Sequence, residues 1–112
     1  RVIGEVTPPR VEIVRQACRI VEEETAKFKK FQAFGVLMAD QATGVTKDGR
    51  RRFGDIIAVR CVDSENAITA TATKLPWAAL DRIHKRITKE IPSVSKVLYD
   101  LTSKPPSTIE YI

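Results

Sequence analysis

Residues 31–39 read "FQAFGVLMA", a stretch with apolar side chains on both sides of an extended chain. Phe31, Ala33, Gly35 and Leu37 fall on one side, and Gln32, Phe34, Val36 and Met38 on the other. Such a strand needs cover on both faces of its sheet. The flanking sequence supplies material for one of them. Thr7 is placed to cap a helix whose first turn holds Pro8 and Pro9, where a missing N–H is no loss. Val11, Val14, Cys18, Val21, Thr25 and Phe28 then recur at three- and four-residue steps, widened by Ile13, Ala17 and Ile20. This predicts a helix from about Pro9 to Lys29. Glu22–Glu24 lie in its middle and suit the helix dipole only in part.

The strand predicted over Phe31–Ala39 is followed by "DQATGVTKDGRRRFGD", read as a loop with a turn at Asp48-Gly49. A second strand is predicted over Asp55–Asp63, with "AITATAT" as an edge strand. Pro76 opens a second helix with the stripe Leu80, Ile83, Ile87 and Ile91, and Pro92 closes it. "SVSKVLYDL" alternates as a third main strand, and Lys104-Pro105-Pro106 leads to a last short strand, Thr108–Ile112. The order is α-β-β-α-β-β. It predicts an α+β domain with a mainly antiparallel sheet and two helices on one face. The second face is then either the seam of a two-fold homodimer or a mixed surface open to water.

The 112 residues suit a single domain, with residues 1–6 as an incoming linker, and a start at Arg1 reads as part of a longer chain. No apolar run approaches the roughly 20 residues of a membrane helix, so no membrane partner is expected. Cys18 and Cys61 sit inside apolar patterns and read as buried free thiols of a reducing compartment, the cytoplasm. His84 is the only histidine, so no metal site is expected. It reads as a surface or boundary residue, and Trp77 as core.

A net charge of +5 suits an anionic partner without choosing between nucleic acid, phosphate ligand and acidic surface. Lys47, Arg50, Arg51 and Arg52 surround the Asp48-Gly49 turn, either as a phosphate-binding loop or as a solvated turn. Nucleic acid is disfavoured there, since Phe53 is the one aromatic nearby. Lys104 precedes two stiff prolines and is either a phosphate clamp or a surface lysine. Gln32, inside an apolar strand, is either a satisfied core amide or a ligand contact. Glu110, read alone, is a surface carboxylate. No nucleophile elbow, phosphate-binding glycine loop or dinucleotide motif appears, so no catalytic residue is assigned.

Taken together, "RVIGEVTP", "QAFGVL", "GVTKDGR", "AVRCVDS", "LPW" and "RIHKRITKEIPSVSKVLYDLTSKPPSTIEYI" resemble the C-terminal dimerisation domain of GMP synthases. The likeness runs from Arg1 to Ile112, and "VLYDLTSKPPSTIEYI" is its most specific part. It implies a part of an enzyme that aminates xanthosine monophosphate (XMP). Mg-ATP would be used in a separate catalytic domain, and ammonia would come from a glutamine amidotransferase domain or subunit. No cofactor is implied here, and this piece alone is not expected to make GMP. The implied role is to pair two subunits and to help hold the XMP phosphate. By position, the resemblance implies contacts from Gln32, Arg50 or Arg51, Lys104 and Glu110, with Ile109 beside it. The loop "TKDGRRRF" is one residue longer than the family pattern, which leaves Arg50 and Arg51 as alternatives. Glu110 would repel phosphate, so its implied work is to orient Lys104 or an arginine, or to reach a sugar or backbone donor. Two rivals remain: a small basic nucleic-acid-binding module and a purely structural dimer module.

Overall fold

The computed structural model describes residues 1–112. Six elements follow in order: α1 (Pro8–Thr25), β1 (Gln32–Val45), β2 (Arg51–Asp63), β3 (Thr71–Ala72), α2 (Trp77–Glu90) and β4 (Val94–Tyr99). They form the expected α+β domain. β2 is the spine of a four-stranded sheet, antiparallel to β1 on one side. On its other side β3 pairs antiparallel near Val62, and β4 pairs parallel from Asp55 to Val59. The parallel pairing follows from the connection, because α2 carries the chain back before β4 begins.

Both helices pack on one face. Val14, Ala17, Ile20 and Val21 of α1 meet Leu37, Ile57 and Val59 of the sheet and Ile83 and Ile87 of α2. Gly35 lets α1 come close: a Cβ there would lie 3.2 Å from that of Ala17. Thr7 caps α1 as expected, accepting from the Arg10 amide at 3.3 Å. The helix stops at Thr25, short of the expected Lys29. Lys30 reaches back to the carbonyls of Thr25 (3.0 Å) and Phe28 (3.3 Å), meeting acceptors that a continuing helix would have used. The mid-helix acids have a tertiary explanation: Arg86 of α2 contacts Glu23 at 2.9 Å and Glu24 at 3.0 Å, and Arg82 contacts Glu24.

Four expectations are corrected. Residues 40–45 and 51–54 are not loop: they extend β1 and β2 into a long hairpin, with a bulge between Leu37 and Gln41. Only the turn around Asp48-Gly49 remains, closed by Thr46 and Arg50, with Gly49 at φ +84. The edge strand contracts to Thr71–Ala72. Trp77 is 80% exposed rather than core. It stands two residues, about 200° of helix rotation, before the buried Ala79. Finally, Thr108–Ile112 form no strand.

That tail explains the second face of the sheet. Ile109 is buried against Phe34, Val36, Ala58 and Val62, with Tyr111 packed alongside. It lies across the strands rather than beside an edge, so no backbone ladder is available to it. Side chains satisfy its carbonyls instead: Arg60 donates to Thr108 at 2.9 Å and to Ile109 at 3.4 Å. The central part of the second face is therefore covered by the chain itself.

Candidate functional site

Lys104 leaves the sheet side by side with Ala70, their backbones exchanging hydrogen bonds of 2.8 and 3.0 Å. Its ammonium donates to the Ala67 carbonyl at 2.8 Å. Ala67 has φ +62 within a compact loop, where Asn66 accepts from the amides of Ile68 and Thr69 and Ser64 spans to Thr69. Between this loop, the start of β1 and the tail lies an open cleft of about 840 Å³. Its charged lining is Lys29, Lys30 and Lys104 against Asp63 and Glu65, with neutral donors on Ser64, Asn66 and Thr69. The cleft suits a hydrated anion better than an apolar ligand, because few apolar side chains reach it.

Gln32 is half-buried and starts β1 at the same end of the sheet, paired with Val62, which pairs in turn with Ala72. Its side-chain amide has no hydrogen-bond partner in the protein, yet it is not sealed from solvent. It is thus neither a satisfied core amide nor a stranded one.

Glu110 makes a two-pronged ion pair with Arg1, at 2.7 Å to Nε and 2.6 Å to Nη2, and the Arg1 guanidinium lies over the Phe34 ring at 4.0 Å. Hydrogen bonding from Arg1 holds the Glu110 carboxyl below its ordinary range. Glu110 therefore orients an arginine, but one from the incoming segment. Ile109, its neighbour, is a packing residue with little surface left for a ligand.

The loop arginines go elsewhere. Arg50 pairs with Asp48 at 3.0 Å in the exposed turn, and Arg51 is exposed at the start of β2. Arg52 donates to the carbonyls of Pro92 (2.7 Å) and Val94 (3.1 Å), fixing the entry to β4. From Arg51 to Val62 runs about 36 Å of strand at roughly 3.3 Å per residue. One chain therefore brings Gln32, Lys104 and the tail to one end of the sheet and leaves Arg50 and Arg51 at the other. His84 is exposed as expected, though it has a carboxylate partner, Asp81, at 3.0 Å. Cys18 and Cys61 are free thiols, the second fully buried. No helix is long and apolar enough to cross a membrane, and no group of His, Cys, Asp and Glu is placed to hold a metal.

Sequence reasoning missed Arg60. It is 0% exposed in the middle of β2. The signal was present as a lone charge within the apolar run from Ile56 to Val62.

Fold and cleft define the class: an α+β domain of two helices on a four-stranded sheet, with a proline-containing tail folded over the second face and Lys104 at the cleft. The chain belongs to the GMP synthase C-terminal domain family, whose pattern matches residues 17–111. Over 99% of its length it is 53% identical to a glutamine-hydrolyzing GMP synthase subunit of Thermococcus kodakarensis and 54% identical to the corresponding subunit of Archaeoglobus fulgidus. It is 50% identical to a glutamine-hydrolyzing GMP synthase of Aeropyrum pernix. The chain spans 36% of the Thermococcus and Archaeoglobus proteins and 22% of the Aeropyrum protein.

Proposed function

We propose that this domain serves a GMP synthase, a ligase of purine nucleotide biosynthesis, by pairing two synthetase subunits and holding the phosphate of XMP. In this reading a catalytic domain elsewhere in the protein uses Mg-ATP to activate the base. Ammonia released from glutamine by a partner amidotransferase then displaces AMP to give GMP. The observation that carries the reading is the family membership together with Lys104 over a polar cleft, its main chain fixed on Ala70 and its ammonium anchored only to an exposed carbonyl. A phosphate dianion outcompetes a neutral carbonyl for that ammonium, because charge-assisted bonds are roughly twice as strong. Gln32 offers a free amide at the same end of the sheet. Arg50 and Arg51 reach this cleft only from a second copy. The dimer seam is then expected where apolar side chains remain uncovered, among Val45, Phe53, Leu98 and Leu101.

The test uses the complete synthetase. Lys104→Ala is expected to raise the XMP KM by about 10- to 100-fold, the equivalent of about 1.5–3 kcal/mol for a hydrogen bond to a charged group. Its ATP KM and its mass in solution should stay unchanged. An unaltered XMP KM would end the phosphate assignment. One observation favours a second reading, nucleic-acid binding: Phe53 is 71% exposed near Lys47 and Arg51 on the hairpin. Salt-dependent affinity for random RNA, with no preference for XMP, would support it.

A further inference from the structure

Arg60 is the one charged residue between Ile56 and Val62 of β2, and it has no exposed surface. An aliphatic side chain there would pack against Ile109 without a charge to bury, so the guanidinium calls for an explanation beyond packing. Its contacts supply one. Nη2 and Nε donate to the carbonyls of Thr108 and Ile109. Nη1 lies 3.2 Å from Asp100 Oδ1. The angle there is not that of a hydrogen bond, so this attraction is Coulombic. Asp100 follows directly on β4, accepts the Thr102 amide at 2.9 Å and accepts the Tyr111 hydroxyl at 2.5 Å. A single buried cation thus holds Asp100 at one end of the segment and Thr108 and Ile109 near the other, and Asp100 in turn holds Tyr111. Midway along that segment, the main chain of Lys104 is bridged to Ala70.

We propose that Arg60, Asp100 and Tyr111 form a latch that closes residues 100–111 into a fixed loop and thereby sets the position of Lys104 at the cleft. The three are positioning residues: none lines the cleft, and each acts through the tail. The inference rests on the reading of Lys104 as a nucleotide-phosphate ligand. A directional, multiply bonded anchor suits this task better than apolar packing. A small displacement of a ligand-binding group costs binding out of proportion to its effect on the fold.

The test compares the complete synthetase with its Arg60→Lys and Tyr111→Phe variants, using Lys104→Ala as reference. Arg60→Lys keeps the charge and its attraction to Asp100, but an ammonium lacks the planar fork that holds the Thr108 and Ile109 carbonyls together. Tyr111→Phe removes one oxygen and keeps the ring in place, so it guards against a variant that fails to fold. Two quantities are read: amide hydrogen exchange over residues 101–111, and KM for XMP against KM for ATP and kcat. The latch is supported if exchange there accelerates in both variants and XMP KM rises by about fivefold or more, with ATP KM and kcat within about twofold of wild type. Conversely, unchanged exchange would overturn it. So would faster exchange with an unaltered XMP KM in a protein where Lys104→Ala raises that KM. A parallel loss of kcat and of both KM values would mark a general structural role and overturn it too. Should Lys104→Ala itself leave XMP KM unchanged, the nucleotide reading fails, and exchange alone then judges whether the three residues hold the tail.

Discussion

At the scale of single residues, the second sheet face depends on a few polar groups in apolar surroundings. Burial pushes the Asp100 carboxyl up, but the Tyr111 hydroxyl, the Thr102 amide and the Arg60 charge outweigh it and hold it below its ordinary value. Burial, reinforced by Asp100, pushes the Tyr111 hydroxyl up to about 12. A depressed carboxyl contributes stability above its unfolded value, which is lost as pH falls through the folded one. A raised phenol contributes stability that is complete below its unfolded value of about 10 and is lost as pH rises through the folded one. Tail docking is therefore expected to be full between about pH 5 and 9. Subtracting the ultraviolet titration of Tyr111→Phe from that of wild type should give a phenol that is half-ionised near 12. A midpoint near the ordinary value of about 10 would show an undocked tail. Asp100→Ala, which strands the buried Arg60 charge, is expected to cost about 3–5 kcal/mol in denaturant unfolding. The same principle shows why Arg60 escaped a reading based on period: alternation places it on the tail face but cannot say that a distant tail covers that face.

At the scale of elements, the parts dictated by local chemistry were legible. α1 starts at Pro8 and α2 directly after Pro76, as expected, and the Asp48-Gly49 turn holds. What sequence could not supply was long-range. Residues 40–45 and 51–54 look polar and loop-like alone, yet each satisfies the backbone of the other across the hairpin. β4 then packs tightly against that hairpin. A Cβ on Gly54 would come within 2.6 Å of Ser95 Cβ and 2.8 Å of the Ser93 carbonyl. Gly54→Ala is accordingly expected to destabilise the domain by about 1–3 kcal/mol through overpacking, measurable by urea unfolding. Ser95→Gly in the same chain should recover part of that loss. Of the candidate site, the lysine of "SKPP" and the strand glutamine are the residues the sequence singles out, and the structure puts both at one end of the sheet. The loop arginines could not be placed from spacing alone, because the hairpin carries them away by its full length.

At the scale of the whole molecule, the apolar two-sided strand finds cover from two sources: helices on one face, and the chain's own tail on the other. Pairing of subunits is then not needed to bury the central sheet. It is expected instead to occupy the uncovered apolar side chains of the hairpin and of the β4 side. Sedimentation of the complete synthetase should show a dimer that Phe53→Asp or Leu98→Asp weakens and Lys104→Ala does not. In the proposed function, the tail's task is to present Lys104 to the phosphate of a nucleotide. Calorimetric titration of the complete synthetase with XMP and with xanthosine, in wild type and in Lys104→Ala, tests it most directly. The substitution is expected to weaken XMP by about 10-fold or more and to leave xanthosine untouched, since only XMP carries the phosphate. Equal weakening of both ligands, or of neither, would contradict it.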